Sequence, residues 1–444
     1  MRRIFFHGRR NFTVAATAAL LCASFLPAAV HAQGLLPSLP EPPAVGGLLG
    51  DLERTAEDLR RRTDRQLEGT RRQLIDSLLR QHRDVLERGP GGELVVRGEL
   101  TALSPSAEAL AAARDAGFTL LREQRLAGLQ ARVVVLRAPE RWSTRRALRR
   151  LQRLDPEGAW DFNHVYLPVA AAMPRAVPEP GESAGVTATP PGVPGATPLR
   201  VGLVDGGIDT GHEAFAGLEV HAYGCDGEPV PSRHGTAVAS LLVGSAAGFR
   251  GAAPGATLHA ADVYCGRATG GAADAFAAAL GQLAERELAV ISTSIVGPAN
   301  RLLGAVIDAL VGRGIIVVAA VGNDGPAARP LYPAAYPGVV AVTGVRADRR
   351  VLPEAGRGPH VDFAAPAADM LAAGPDGAYA EVRGTSYAAP LVAGLLAAKV
   401  AVPDPEAARL AVAALARDAI DLGRRGRDEV YGDGLVGEAL RVAP

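Results

Sequence analysis

Lysine is almost absent from this 444-residue chain: Lys399 is the only one. Its cations are therefore arginines, and the 47 basic residues are balanced by 47 acidic ones, so no global charge points to nucleic acid. Long uncharged apolar runs are lacking as well; beyond the first thirty residues none could span a bilayer, and no stable membrane anchor is expected. Cysteine is scarce, with three in the chain. The start is distinctive: "MRRIFFHGRRNF" is basic, "TVAATAALLCASFLPAAV" is apolar, and Val30 and Ala32 are small. That order predicts an export signal over 1–32, removed after Ala32, and Arg9-Arg10-Asn11-Phe12 resembles a twin-arginine variant of it. Cys22 lies inside the signal, which leaves Cys225 and Cys265; an exported chain with two cysteines is expected to pair them, two separate buried thiols being the alternative. Two cysteines are too few for a zinc cage, and His212, His221, His259 and His360 have no metal-site spacing.

Residues 33–50 are rich in Pro, Gly and Leu and read as irregular. Over 51–88 a stripe of Leu52, Ala56, Leu59, Leu67, Leu74 and Leu78 predicts a charged amphipathic helix that needs a partner surface. From Glu93 to Tyr166 strand and helix patterns alternate as β-α-β-β-α-β, ending in "DFNHVYLP". Arginines 145, 146, 149, 150 and 153 do not make this an RNA-binding unit. Leu148, Leu151 and Leu154 mark an ordinary amphipathic helix, and no aromatic stacking platform is present. Residues 167–198 read as a Pro-rich linker. From Leu199 onward apolar strands alternate with helices, which implies a parallel sheet covered on both faces.

Ligand and reaction sites in such sheets collect where strands end. Asp205 ends "VGLVD", His234 heads the apolar helix of "RHGTAVASLLVG", Asn323 follows "VVAAVG", and Ser386 follows Gly384 and Thr385 before another apolar helix. Singly these read as a turn residue, a helix cap, a loop amide and a second cap. Together they supply a nucleophile, a base, a carboxylate to orient the base, and an oxyanion donor, the set that acyl transfer needs.

The motifs "VGLVDGGIDTGHEAF", "RHGTAVASLLVG", "VVAAVGNDGP" and "GTSYAAPLVAG", in that order, resemble the subtilisin-like serine peptidases, or subtilases. The resemblance implies Ser386 as nucleophile, His234 as base, Asp205 as its orienting carboxylate, and Asn323 with the Ser386 backbone N–H as oxyanion hole. It implies a subtilisin-like α/β fold over 199–444, mostly a parallel sheet with helices on both faces. Before this would come a ferredoxin-like inhibitory prodomain over 93–166, a processing region within 167–198 and the long N-terminal helix. "ISTSIVGP" is similar to the family's substrate-binding strand, so Ser294, Ile295, Val296 and Gly297 are expected to line the cleft, Val296 replacing a glycine and leaving a shallow pocket for small side chains. Gly206 after Asp205 departs from the family pattern and suggests a looser turn; Tyr387 stands where Met is commoner. The implied partners are a protein or peptide substrate and the chain's own prodomain. No cofactor is expected, and no calcium loop is recognisable, although calcium is common in the family. Two rival readings are a silent binding protein on the same scaffold, and a peptidase that keeps its N-terminal part as an adaptor.

Overall fold

A computed structural model describes residues 70–169, 175–176, 199–228 and 230–444. The expected signal, the irregular segment, most of the linker and the first part of the expected 51–88 helix lie outside the described residues. Helix α1 covers Thr70–Gln81, and Leu86–Arg88 form strand β1, antiparallel to β2 (Leu94–Leu103), so the helical stripe ends earlier than expected. Leu74, Ile75 and Leu78 of α1 are buried, which supplies the partner surface that the stripe needs. Helix formation stops after Gln81 because the next apolar residues, Val85 and Leu86, serve the sheet: Val85 O accepts from Arg97 N at 2.8 Å.

The β-α-β-β-α-β order is present as β2, α2 (Ala107–Asp115), β3 (Thr119–Leu126), β4 (Ala131–Arg137), α3 (Thr144–Leu154) and β5 (Asp161–His164). Its strands pair antiparallel in the order β5-β2-β4-β3, the ferredoxin-like arrangement. Ser106 and Ser143 cap the two helices, each hydroxyl accepting a backbone N–H of the first turn. The expected last strand "DFNHVYLP" is split. After β5 the chain leaves this sheet, and Leu167–Pro168 form β6, paired with a different element described below.

After β7 (Arg175–Ala176) come β8 (Arg200–Asp205), β9 (Val220–Tyr223), helix α4 (Arg233–Val243), a small hairpin of β10 (Ser245–Ala246) and β11 (Phe249–Arg250), and β12 (Thr257–Asp262). Helix α5 (Ala273–Ala284), β13 (Val290–Thr293), β14 (Ile295–Val296), helix α6 (Arg301–Gly312), β15 (Ile316–Ala320), β16 (Val340–Val345) and β17 (Val361–Pro366) follow. The chain closes through β18 (Met370–Ala373), β19 (Tyr379–Val382), α7 (Ala389–Ala397) and α8 (Pro405–Asp418). Seven strands make one parallel sheet, β17-β16-β15-β13-β8-β12-β9. Two apolar clusters, one including α4 and α7 and the other α5 and α6, account for its near-continuous hydrophobic strands.

The α+β portion completes two helices of the sheet portion. Ala272 at the start of α5 has no capping side chain, and Asn163 Oδ1 accepts from Asp274 N at 3.2 Å in its place. Asp161 Oδ2 accepts from Arg301 N at 2.9 Å in the first turn of α6. Each such cap is worth about 1 kcal/mol. Arg122 adds an ion pair to Asp274 at 2.6 Å.

At the β9 edge His259 is buried, its Nδ1 2.8 Å from the Tyr223 hydroxyl. Desolvation, reinforced by Arg200, His221 and Arg286, lowers its pKa from 6.5 to about 4. The unfolded chain therefore binds the extra proton first, and stability is lost as pH falls from about 6.5 towards about 4. Replacing His259 by Gln is expected to flatten that part of a thermal-melt pH series; an unchanged slope would refute the assignment.

Candidate active site

Asp205 lies at the C-terminal end of β8 in the middle of the sheet, paired in register with Asp262 of β12. It is buried, and its Oδ1 accepts from Gly206 N at 2.7 Å and lies 2.8 Å from His234 Nδ1. The Gly206 N–H thus holds one oxygen of the carboxylate. His234 stands in the first turn of α4, whose cap is Ser232 Oγ accepting from Gly235 N at 2.9 Å. Gly235 is required by close approach: a Cβ there would lie 2.3 Å from Gly206 O. That contact brings the head of α4 down onto the Asp205 turn.

Ser386 does not sit in the first turn of the α-helix behind it. It lies in a single 3₁₀ turn, Thr385–Tyr387, which leads into α7 and packs against α4. Gly384, at φ 141°, makes the sharp entry. Four bonds hold this turn and its entry, three of them Gly384 N to Ala367 O at 2.8 Å, Gly322 N to Thr385 Oγ1 at 3.2 Å, and Ser294 Oγ to Ser386 O at 2.7 Å. Asn323, just past β15, accepts from Thr385 N through Oδ1 at 3.2 Å, which orients its amide beside the same turn. Tyr387 is buried with its ring 5.8 Å from that of His234, so the larger side chain packs on the imidazole. The Ser386 hydroxyl and His234 Nε2 are both buried and make no hydrogen bond among the described residues. The serine–imidazole bond is thus not formed in this state; such bonds are often long or misaligned before substrate binds.

Beside the turn, β14 pairs antiparallel with β6 of the same chain, Ile295 opposite Pro168 and Val296 opposite Leu167. Val169 N donates to Ser294 O at 3.1 Å. On the other side Tyr166 N donates to Gly271 O at 2.8 Å, and the Tyr264 hydroxyl donates to Tyr166 O at 3.2 Å. Residues 165–169 therefore lie as an extended strand between Gly271–Ala272 and Ser294–Gly297. Tyr166, Leu167 and Val169 are buried. The expectation that Leu167 begins a linker is corrected, since composition cannot register pairing onto a distant strand. Gly271 and Ala272, the second edge of this groove, were not foreseen, although the Gly270–Gly271 pair is a local signal for close backbone approach.

The model of the Subtilase family matches residues 198–434, more than half of the chain. The chain belongs to the subtilase family. Among known subtilases, subtilisin E of Bacillus subtilis (strain 168) is 32% identical over 213 residues, 45% of this chain and 54% of the relative. Thermitase of Thermoactinomyces vulgaris is 31% identical over 204 residues, 44% of this chain and 72% of the relative. The chain thus spans about half the length of subtilisin E. Fervidolysin of Fervidobacterium pennivorans, described as a keratinolytic enzyme related to subtilisin, superposes with a TM-score of 0.63 at 20% identity. Its likeness, one of fold, covers 79% of this chain and 61% of fervidolysin, more of this chain than the subtilase segment alone.

Within the subtilase fold the arrangement has a clear chemical capacity. A carboxylate on Nδ1 fixes the imidazole tautomer, leaving Nε2 able to take a proton from a hydroxyl, and a side-chain amide beside a backbone N–H is a donor set that suits a developing oxyanion. Ser294, Ile295, Val296 and Gly297 form one edge of a groove that holds an extended peptide. Cys225 and Cys265 are placed as a pair with Cα atoms 5.1 Å apart, 40 residues apart in sequence. Among the described residues no helix is long and apolar enough to cross a membrane.

Proposed function

We propose that this subtilase is a serine endopeptidase made as a zymogen, hydrolysing peptide bonds through an acyl-enzyme on Ser386. His234 is the base, Asp205 holds its tautomer and stabilises its charge, and Asn323 with the Ser386 N–H receives the oxyanion. The observation that carries this reading is the 2.8 Å Asp205–His234 bond, presented by the ends of the central sheet to the turn that holds Ser386.

The α+β portion is the inhibitory prodomain in this reading. Its tail, Tyr166 to Val169, occupies the groove as a substrate would, adding a strand to β14. Val169 N donates to Ser294 O at 3.1 Å, Ser294 Oγ donates to Ser386 O at 2.7 Å, and the Val169 side chain shares an apolar cluster with Val296. The Val169–Ala170 bond is therefore the proposed site of self-cleavage, and the pocket beside Val296 selects small aliphatic side chains. Export is supported by the basic-then-apolar start and by the placement of Cys225 with Cys265, whose bond would close a loop worth about 3–4 kcal/mol.

Three outcomes are expected. Purified Ser386→Ala protein should retain its N-terminal portion, whereas the wild-type protein should yield a chain beginning at Ala170. Processing of the Ser386→Ala protein in isolation, or a different start in the wild type, would refute self-cleavage at this bond. On a peptide library, cleavage after Val or Ala should exceed cleavage after Phe or Tyr by roughly tenfold or more, and the reverse order would overturn the pocket assignment. Titration of the denatured, unreduced protein should find no thiol from Cys225 or Cys265; two free thiols would remove the bond.

A further inference from the structure

One helix face is used neither by the proposed catalysis nor by the docking of residues 165–169. On α3, Arg145, Arg146, Arg149, Arg150 and Arg153 lie on the side opposite the buried Ala147, Leu148 and Leu151, and Arg141 stands just before the helix. Arg150 is half-buried and the other five are exposed. None of the six makes an ion pair among the described residues, and Glu140 and Glu157, which flank the helix, pair with none of them. Asp155 is taken up by the Trp160 indole N–H at 2.8 Å. Arg145 with Arg149, Arg146 with Arg150, and Arg149 with Arg153 are like charges one turn apart, an arrangement that destabilises a helix standing in water. The first turn holds cations and no acid, against the helix dipole. Helix α8, by contrast, carries the Glu406–Arg409 ion pair. Apolar side chains adjoin the arginines. The Phe118 ring meets Trp142 edge-on at 5.8 Å, and the Arg146 guanidinium lies 4.9 Å above the Trp142 ring. Two residues beyond Phe118, Leu120 and Leu121 are 52% and 37% exposed on β3. Leu120 stands opposite Leu136, which belongs to the apolar cluster beneath α3. The other face of this sheet, through Val133 and Val135, joins the cluster that contains α5. The arginines and Leu120 are therefore on the side of the sheet away from the groove.

We propose that the outer face of α3, with Trp142, Leu120 and Leu121, is a docking surface for an anionic phospholipid membrane. The guanidinium groups bond headgroup phosphates, which relieves the repulsion along the helix, and the indole and the two leucines enter the interface beside them. A nucleic acid would answer the charge alone and leave the leucines in water, and the sheet lacks a stacking platform for bases. The start expected to act as an export signal would deliver the uncut chain to such a surface. The contact is peripheral and reversible, not an anchor. One consequence rests on the prodomain reading: loss of the N-terminal portion removes this face, so processing also frees the peptidase from the membrane.

The test is vesicle co-sedimentation of the chain from Gln33 onward carrying Ser386→Ala, which lacks the apolar start and stays intact. It needs neither cleavage nor activity, so its failure is separate from failure of the peptidase reading. In about 0.1 M salt, vesicles of about 70% phosphatidylcholine and about 30% phosphatidylglycerol should bind the chain at least about tenfold more strongly than phosphatidylcholine alone. Each basic residue near an anionic surface is worth about fivefold, so Arg145→Gln, Arg149→Gln and Arg153→Gln together should lose about tenfold or more of that binding. Arg146 is kept because it packs on Trp142. Lysine at the same three positions should retain the binding, and all variants should melt with the parent chain. Leu120→Thr with Leu121→Thr, which suits a strand, should weaken vesicle binding by about fivefold. Equal binding to neutral and anionic vesicles, undiminished binding of the glutamine variant, or equal loss in the lysine variant would overturn the docking surface. A duplex oligonucleotide bound as tightly as the anionic vesicles, with the leucine changes leaving vesicle binding unmoved, would assign the face to polyanions in general and overturn the lipid assignment.

Discussion

The hydrogen bond from His234 to the buried carboxylate of Asp205 is the constraint on which the site depends. It joins a strand end to a helix start, and both partners are held from outside the pair. The Gly206 N–H fixes the carboxylate, and Ser232 caps the helix. The close seating of Gly235 on the Gly206 carbonyl sets how near the two elements come. The Gly206 and His234 contacts both fall on Asp205 Oδ1, while Oδ2 is buried with no hydrogen bond among the described residues. The fixed pair in turn sets where a hydroxyl must stand. The turn of Thr385–Tyr387, which carries Ser386, is tied with its entry to the neighbouring strands and loops by four hydrogen bonds.

A separate need, that of backbone groups for partners, explains the covering portion. A groove with an open β14 edge, a helix α5 without a side-chain cap, and a helix α6 whose Asn300 cap takes only Leu303 N, is incompletely satisfied by its own residues. Residues 161–169 supply what is missing: Asp161 and Asn163 for the helix starts, and an extended strand for the edge. One segment thus bonds to the helix starts and pairs with the β14 edge, and the physical basis of both is backbone N–H and C=O groups that need partners.

Much of this was legible in the sequence because it depends on local pattern. The strand runs ending in Asp205 and preceding Asn323, the apolar helix behind His234, and the β-α-β-β-α-β order all follow from periodicity and caps. What was not legible depends on pairing between distant segments. Leu167–Val169 carry no compositional mark that separates them from the Pro-rich stretch after them, yet they dock on β14. The 51–88 stripe could not reveal that its end becomes a strand at Leu86–Arg88, since that choice is made by β2. The Arg71–Asp324 contact lies across two portions of the chain and is invisible to any window. The fit of Tyr387 against His234 likewise required coordinates, because its size alone does not say which ring it meets.

The central claim is that Ser386, an alcohol with no reactivity of its own, is made nucleophilic by its neighbours. Covalent trapping of the processed protein with a fluorophosphonate, followed by mapping of the modified peptide, tests this most directly. The account predicts one adduct, on Ser386, lost when His234 is replaced by Ala in protein of the same fold. Labelling that leaves Ser386 unmodified, or that persists equally without His234, would contradict it.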